Sequence, residues 1–132
     1  MDKSIEEKFV KKFILKDKRE RTIFELGSIK KRIQTILRLV NYADERYAIL
    51  CDSKIKDADL LKRITDFYNI NSDCYVIAEH SDDGKKLPFK TAFENMCDGC
   101  GVYVIICNEN LVVMKDEVVY GAPVKMLLYR KD

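Results

Sequence analysis

Val102-Tyr-Val-Ile-Ile-Cys107, Asn108-Glu-Asn110 and Leu111-Val-Val-Met-Lys115 follow one another in the last third of the chain. Two runs of β-branched and apolar residues flank three residues of turn chemistry. Each run is too short for a buried helix and rich in strand formers, so together they read as a hairpin. A third run of the same kind, 124–130, extends the pair into an antiparallel meander. The interval 116–123 is read as a loop or as the site of a short strand at 118–120.

Working upstream, residues 74–78 and 47–51 are further short apolar runs with the character of buried strands. Between them, a helix is expected from Asp57, with Leu60, Leu61, Ile64, Phe67 and Tyr68 on one face. Asn71-Ser-Asp73 is a turn, and Ser81-Asp-Asp-Gly84 closes the later strand. Pro88 suits a first helical turn, and Phe89, Ala92, Phe93 and Met96 give a short helix stopped by Gly99 and Gly101. Strand–helix–strand crossovers favour parallel neighbours, so the first two strands are expected side by side in a mixed sheet.

The front of the chain is helical. Ser4 with Glu7 has the form of a capping box, and Ile5, Phe9, Phe13 and Ile14 form a stripe behind it. Asp17 and Glu20 repeat that signature before Ile23, Phe24, Leu26 and the stop at Gly27, which reads as a second helix or as the continuation of one kinked helix. Ser28 is placed to cap a third segment, whose apolar face is Ile29, Ile33, Ile36, Leu37 and Val40. The expectation is an α+β domain over 1–132, with a basic helical part at 1–40 and a mixed-sheet core at 41–132. Its order is N-terminal helices, then β-α-β-α-β-β-β ending in an antiparallel meander.

Composition narrows the functional classes. The 132 residues are 47% hydrophobic and 35% charged, a globular balance rather than a disordered one. No run approaches the length of a membrane helix, and the acidic N-terminus shows no secretory core. Five cysteines at irregular spacing do not suit a disulfide framework, so reduced thiols in a cytoplasm are expected. Net charge is +2, yet it divides unevenly, +6 up to Val40 and −4 beyond. That asymmetry fits either an anionic partner for the front or attraction between the two parts across the fold.

Three groups of residues bear on chemistry. With the first two strands parallel neighbours, Asp52 and the run Glu79, His80, Asp82 and Asp83 follow their C-terminal ends on one edge, where open α/β sheets place ligands. Carboxylates with the sole histidine would hold a divalent cation and activate water, the chemistry of a metal-dependent hydrolase or nuclease. Ser81-Asp-Asp-Gly84 is also ordinary turn composition. Second, Lys18, Arg19, Arg21, Lys30, Lys31 and Arg32 form a basic run suited to nucleic-acid phosphates or another partner, although Asp17, Glu20 and Glu25 interrupt it. Third, Cys97-Asp-Gly-Cys100 is a C-x-x-C, the form of a redox dithiol or half of a zinc site. It follows a helix, and the C-terminal dipole opposes a thiolate. Cys51, Cys74, Cys107 and His80 are the other soft ligands in the chain, and no second C-x-x-C completes a zinc set.

Phosphate-binding glycine loops, nucleophile elbows and H-E-x-x-H are absent. The segments 18–21 and 28–32 resemble stretches of short bacterial proteins, a likeness that implies no activity. The leading expectation is therefore a small cytoplasmic, non-enzymatic interaction module with a protein partner. No membrane contact is expected and no cofactor is required, a divalent cation or zinc being tied to the clusters above. The alternatives are the metal-dependent hydrolase and a nucleic-acid-binding protein.

Overall fold

The computed structural model describes residues 1–117 and 124–132. Its elements are α1 (Lys3–Phe13), α2 (Arg19–Leu26), α3 (Arg32–Tyr42), β1 (Ala48–Leu50), α4 (Asp57–Tyr68), β2 (Asp73–Ala78), β3 (Lys86–Pro88), α5 (Phe89–Asp98), β4 (Tyr103–Ile106), β5 (Leu111–Lys115) and β6 (Lys125–Tyr129). The α+β class, the leading helices and the closing meander are as the sequence indicates; β3 is an added short strand. The alternative strand at 118–120 lies outside the described residues.

Six strands form one antiparallel sheet in the order β1-β6-β5-β4-β2-β3. Pleating sends successive side chains to opposite faces, so each buried strand serves two cores. Tyr75, Ile77, Val104, Ile106, Val112, Met114, Met126 and Leu128 pack under α1, α2 and α3. Cys74, Val76, Ile105, Val113 and Leu127 pack on the other face with Leu60 and Ile64 of α4 and Phe89, Phe93 and Met96 of α5. Burial on both faces explains why β2, β4 and β5 read as continuous apolar runs rather than alternating ones.

The expected parallel neighbours are not neighbours. β1 and β2 do run in the same direction, as a crossover through α4 requires, but β6, β5 and β4 lie between them. A crossover fixes direction, not adjacency. The meander strands, apolar on both faces, take the centre, while the three-residue β1 goes to an edge.

Two helix starts also differ from the sequence reading. Asp2, not Ser4, caps α1, its Oδ1 accepting the Ile5 N–H at 3.2 Å. Residues 28–31 form a turn, and α3 begins at Arg32. Its inward face is Arg32, Thr35, Ile36 and Leu39, so Ile29 (98% exposed) and Ile33 (56%) of the expected face lie in solvent. The cause is the seat of Arg32 between Glu6 and Asp83, which sets the rotation of α3. Among the described residues no helix is long and apolar enough to cross a membrane.

Candidate functional site

The carboxylates expected to converge are spread across the sheet. Asp52 follows β1, while Glu79, His80, Asp82 and Asp83 follow β2, at the same end of the sheet but four strand spacings away, roughly 19 Å. Each acidic side chain has local work. Asp52 accepts the Lys54 N–H at 2.9 Å within its own turn. Glu79 accepts the Val102 N–H at 2.6 Å, and Gly101 leaves room for it, since a Cβ there would push the Glu79 carboxylate from its place. Asp82 accepts from the Tyr103 hydroxyl at 2.6 Å and the Asn95 amide at 2.9 Å, and the tyrosine bond foremost holds its pKa below the ordinary value. His80 is exposed. Among the described residues no three His, Cys, Asp or Glu side chains come together to hold a metal ion. The hydrolytic alternative needed Asp52 beside Asp83, and the strand order separates them.

Asp83 belongs to a different assembly, centred on Arg32. The guanidinium gives Nη1 and Nη2 to the two Glu6 oxygens at 2.7 Å each. Nη1 also reaches the Leu26 carbonyl at 2.9 Å, and Nε and Nη2 hold Asp83 at 2.8 and 2.9 Å. All five donors are used. Glu6 in turn accepts from Tyr75 Oη at 2.6 Å, and the Asp2 N–H donates to that hydroxyl at 2.9 Å. Burial alone would lower the Arg32 pKa, but the hydrogen bonds to Asp83 and Glu6 outweigh it, and the net shift is upward. Burial and Glu6 likewise raise Tyr75. One residue therefore ties α1, the end of α2, α3 and the β2–β3 turn together, and both Arg32 and Asp83 are spent on structure. The network had a trace in the sequence: Glu6 shares the α1 face of Phe9, Val10 and Phe13, an acidic residue on an apolar stripe.

The remaining basic candidates do not make one stripe. Arg19 donates Nε to the Ile14 carbonyl at 2.8 Å, and Arg21 pairs with Glu25. Lys18 and Lys31 lie over the rings of Tyr42 and Phe24 at 5.2 and 5.9 Å, and Lys30 is exposed. A mainly basic lining occurs instead at a cleft of about 720 Å³ beside α1, where Lys8, Lys11, Lys12, Lys86 and Arg130, with Asp73, Glu109 and Asp132 among them, surround Phe9, Phe13 and Ile106. Lys12 is bonded to Asn110 at 2.8 Å and Arg130 to Asp132 at 3.1 Å.

Cys97 and Cys100 stand at the C-terminal end of α5, where the sequence puts them. Cys97 is half-buried, and burial followed by the Asp57 carboxylate pushes its thiol up to about 12; Cys100 is exposed. The α5 terminus is served by Lys115, fully buried on the same face of the sheet, whose ammonium donates to the Gly99 carbonyl. A cation there offsets the negative end of the helix, while burial lowers the Lys115 pKa. Sequence reading gave Lys115 no role beyond closing a strand.

The two edges of the sheet contrast sharply. Val76 N–H donates to the Lys85 carbonyl, so Cys74 and Leu87 are bonded partners and Lys86 and Pro88 present their backbones outward. Pro88 has no N–H to offer, and Lys86 adds charge, two devices that close an edge. β1 has neither. The Cys51 N–H donates to the Lys125 carbonyl, so Ile49 also faces β6, and Ala48 and Leu50 face outward. Ile49 is 51% and Leu50 71% exposed, and Phe67 of α4, 80% exposed, lies beside Ile49 along a shallow groove with Ile64, Tyr68 and Leu127. Compared with known proteins, the chain matches no family model, no curated sequence and no solved structure.

Proposed function

We propose that this chain is a protein-interaction module whose docking surface is the open β1 edge with the adjoining flank of α4. The carrying observation is the asymmetry of the sheet, with Lys86 and Pro88 at one edge and uncharged Ala48-Ile-Leu50 at the other. An exposed apolar edge is a template for strand addition, and natural sequences blunt such edges unless something covers them. The partner is then an extended segment with apolar residues at alternate positions, pairing with Leu50 and resting side chains against Ile49 and Phe67.

The test is recovery of a partner by the wild-type chain and by Leu50→Lys. Loss of the partner with Leu50→Lys at unchanged melting temperature supports the reading. A partner held equally by both chains, or lost only on reversing Lys30 and Lys31, overturns it.

A second reading, nucleic-acid binding, draws support from the basic cleft, where Lys8 and Lys11 are exposed. It requires single-stranded oligonucleotide affinity to fall steeply with salt and to weaken in Lys8→Glu and Lys11→Glu. Absence of binding at low salt ends it.

A further inference from the structure

The strand that completes the β1 edge is, we infer, β1 of a second copy of this chain, paired antiparallel about a two-fold axis at Leu50. This rests on the docking reading above and names its occupant. The outward backbone groups select the register. The Ala48 N–H is already taken by the Glu45 carbonyl that ends the preceding turn, so a pairing that needs it is poorly satisfied. A pairing centred on Leu50 calls for it only at the ends of the ladder, opposite an Asp52 carbonyl that already accepts the Ile55 N–H. At the centre the Leu50 N–H meets the partner Leu50 carbonyl, the reciprocal bond follows by symmetry, and the Ala48 carbonyl is left to accept from the Asp52 N–H of the other copy. The two most exposed side chains of the strand then face each other directly on the α1–α3 side of the sheet.

The flank of α4 is suited to the same symmetry. A two-fold contact joins identical patches, so each patch must carry both members of any charge pair. Arg63 and Asp66, both exposed and one turn apart, line the groove beside Ile49 and Phe67. Two copies of α4 side by side set Arg63 of each against Asp66 of the other. The result is a continuous twelve-stranded sheet whose outer edges are both β3, the edge that Lys86 and Pro88 close.

The experiment is sedimentation of the full chain over a wide concentration range, with two variants. Wild-type dimers and monomeric Leu50→Lys are expected, since lysines directly opposed across the axis repel. Leu50→Cys, made together with Cys100→Ser, is expected to form a covalent dimer on mild oxidation. Directly opposed bonded residues lie about 5.5 Å apart at Cα, within disulfide reach. The control Asp59→Cys with Cys100→Ser is expected not to cross-link. A wild-type monomer at every concentration overturns self-pairing. In that case a different partner lost with Leu50→Lys leaves the docking edge standing, and one indifferent to Leu50→Lys overturns both. A dimer that persists in Leu50→Lys, or that fails to cross-link through Leu50→Cys, is formed elsewhere and also overturns the inference.

Discussion

Arg32 and Asp83, 51 residues apart in the chain, meet through two hydrogen bonds, Nε to Oδ2 at 2.8 Å and Nη2 to Oδ1 at 2.9 Å. The pair joins the basic front of the chain to its acidic remainder. It also removes one residue from each of two expected sites, the phosphate contacts and the metal carboxylates.

Removing the guanidinium leaves two carboxylates in a buried setting. Arg32→Met is expected to lower stability by about 3–5 kcal/mol, the cost of breaking a buried ion pair from one side. Arg32→Lys recovers only part of this, because an ammonium has three donors for positions where Arg32 uses five. Urea denaturation of the three proteins checks both statements. A loss below about 1 kcal/mol in Arg32→Met would show that the network does not hold the helical layer.

Acid sensitivity is expected to involve Asp82. Its folded-state pKa is depressed, chiefly by the Tyr103 hydroxyl and then by Asn95, so it binds fewer protons in the folded chain than in the unfolded one. The resulting stability is complete above the unfolded value near 3.9 and is lost as pH falls through the folded value. Tyr103→Phe and Asp82→Asn are each expected to flatten the pH dependence of unfolding below about pH 4. An unchanged slope in both variants contradicts the assignment.

Lys115 has the opposite sign. A lysine whose folded pKa is lowered binds fewer protons than its unfolded counterpart on the alkaline side, so its contribution to stability rises with pH towards about 10.4. The stability of the wild type relative to Lys115→Met is expected to increase between neutral pH and that value. Taking the difference between the two proteins cancels the thiols and tyrosines that titrate in the same range. A flat difference refutes a destabilised ammonium at the end of α5.

Thiol chemistry separates the five cysteines. Cys100 is exposed; Cys51 and Cys97 are partly buried with raised pKa; Cys74 and Cys107 are buried opposite each other on adjacent strands. One fast-reacting thiol is expected in the folded protein and five after denaturation, and Cys100→Ser is expected to abolish the fast phase. Two equally fast thiols would restore the C-x-x-C as a reactive pair. Added zinc is expected to leave the melting temperature unchanged, and a stoichiometric zinc-dependent rise would show that the pair finds further ligands.

The legible parts of this chain were those where a short-range pattern meets a local rule. Apolar runs at 102–107 and 111–115 specified strands because each is short, rich in β-branched residues and bounded by turn residues. Gly27 and the C-terminal placement of Cys97 were readable for the same reason. α3 was misread in rotation because its apolar residues are consistent with two faces. The choice between them depends on where one guanidinium finds carboxylates, and Glu6 and Asp83 lie 26 and 51 residues away. The candidate metal site failed on a similar count, since a crossover connection states direction and leaves the number of intervening strands open.

The sequence by itself determined the class of the fold, its leading helices, the antiparallel meander and the place of the cysteine pair after a helix. These follow from backbone propensity, side-chain period and helix polarity, which act over a few residues. Only the tertiary structure decided the strand order, the fate of Arg32 and Asp83, and the contrast between a closed β3 edge and an open β1 edge. Those depend on which distant groups satisfy one another's hydrogen bonds, and the chain settles that only when it packs.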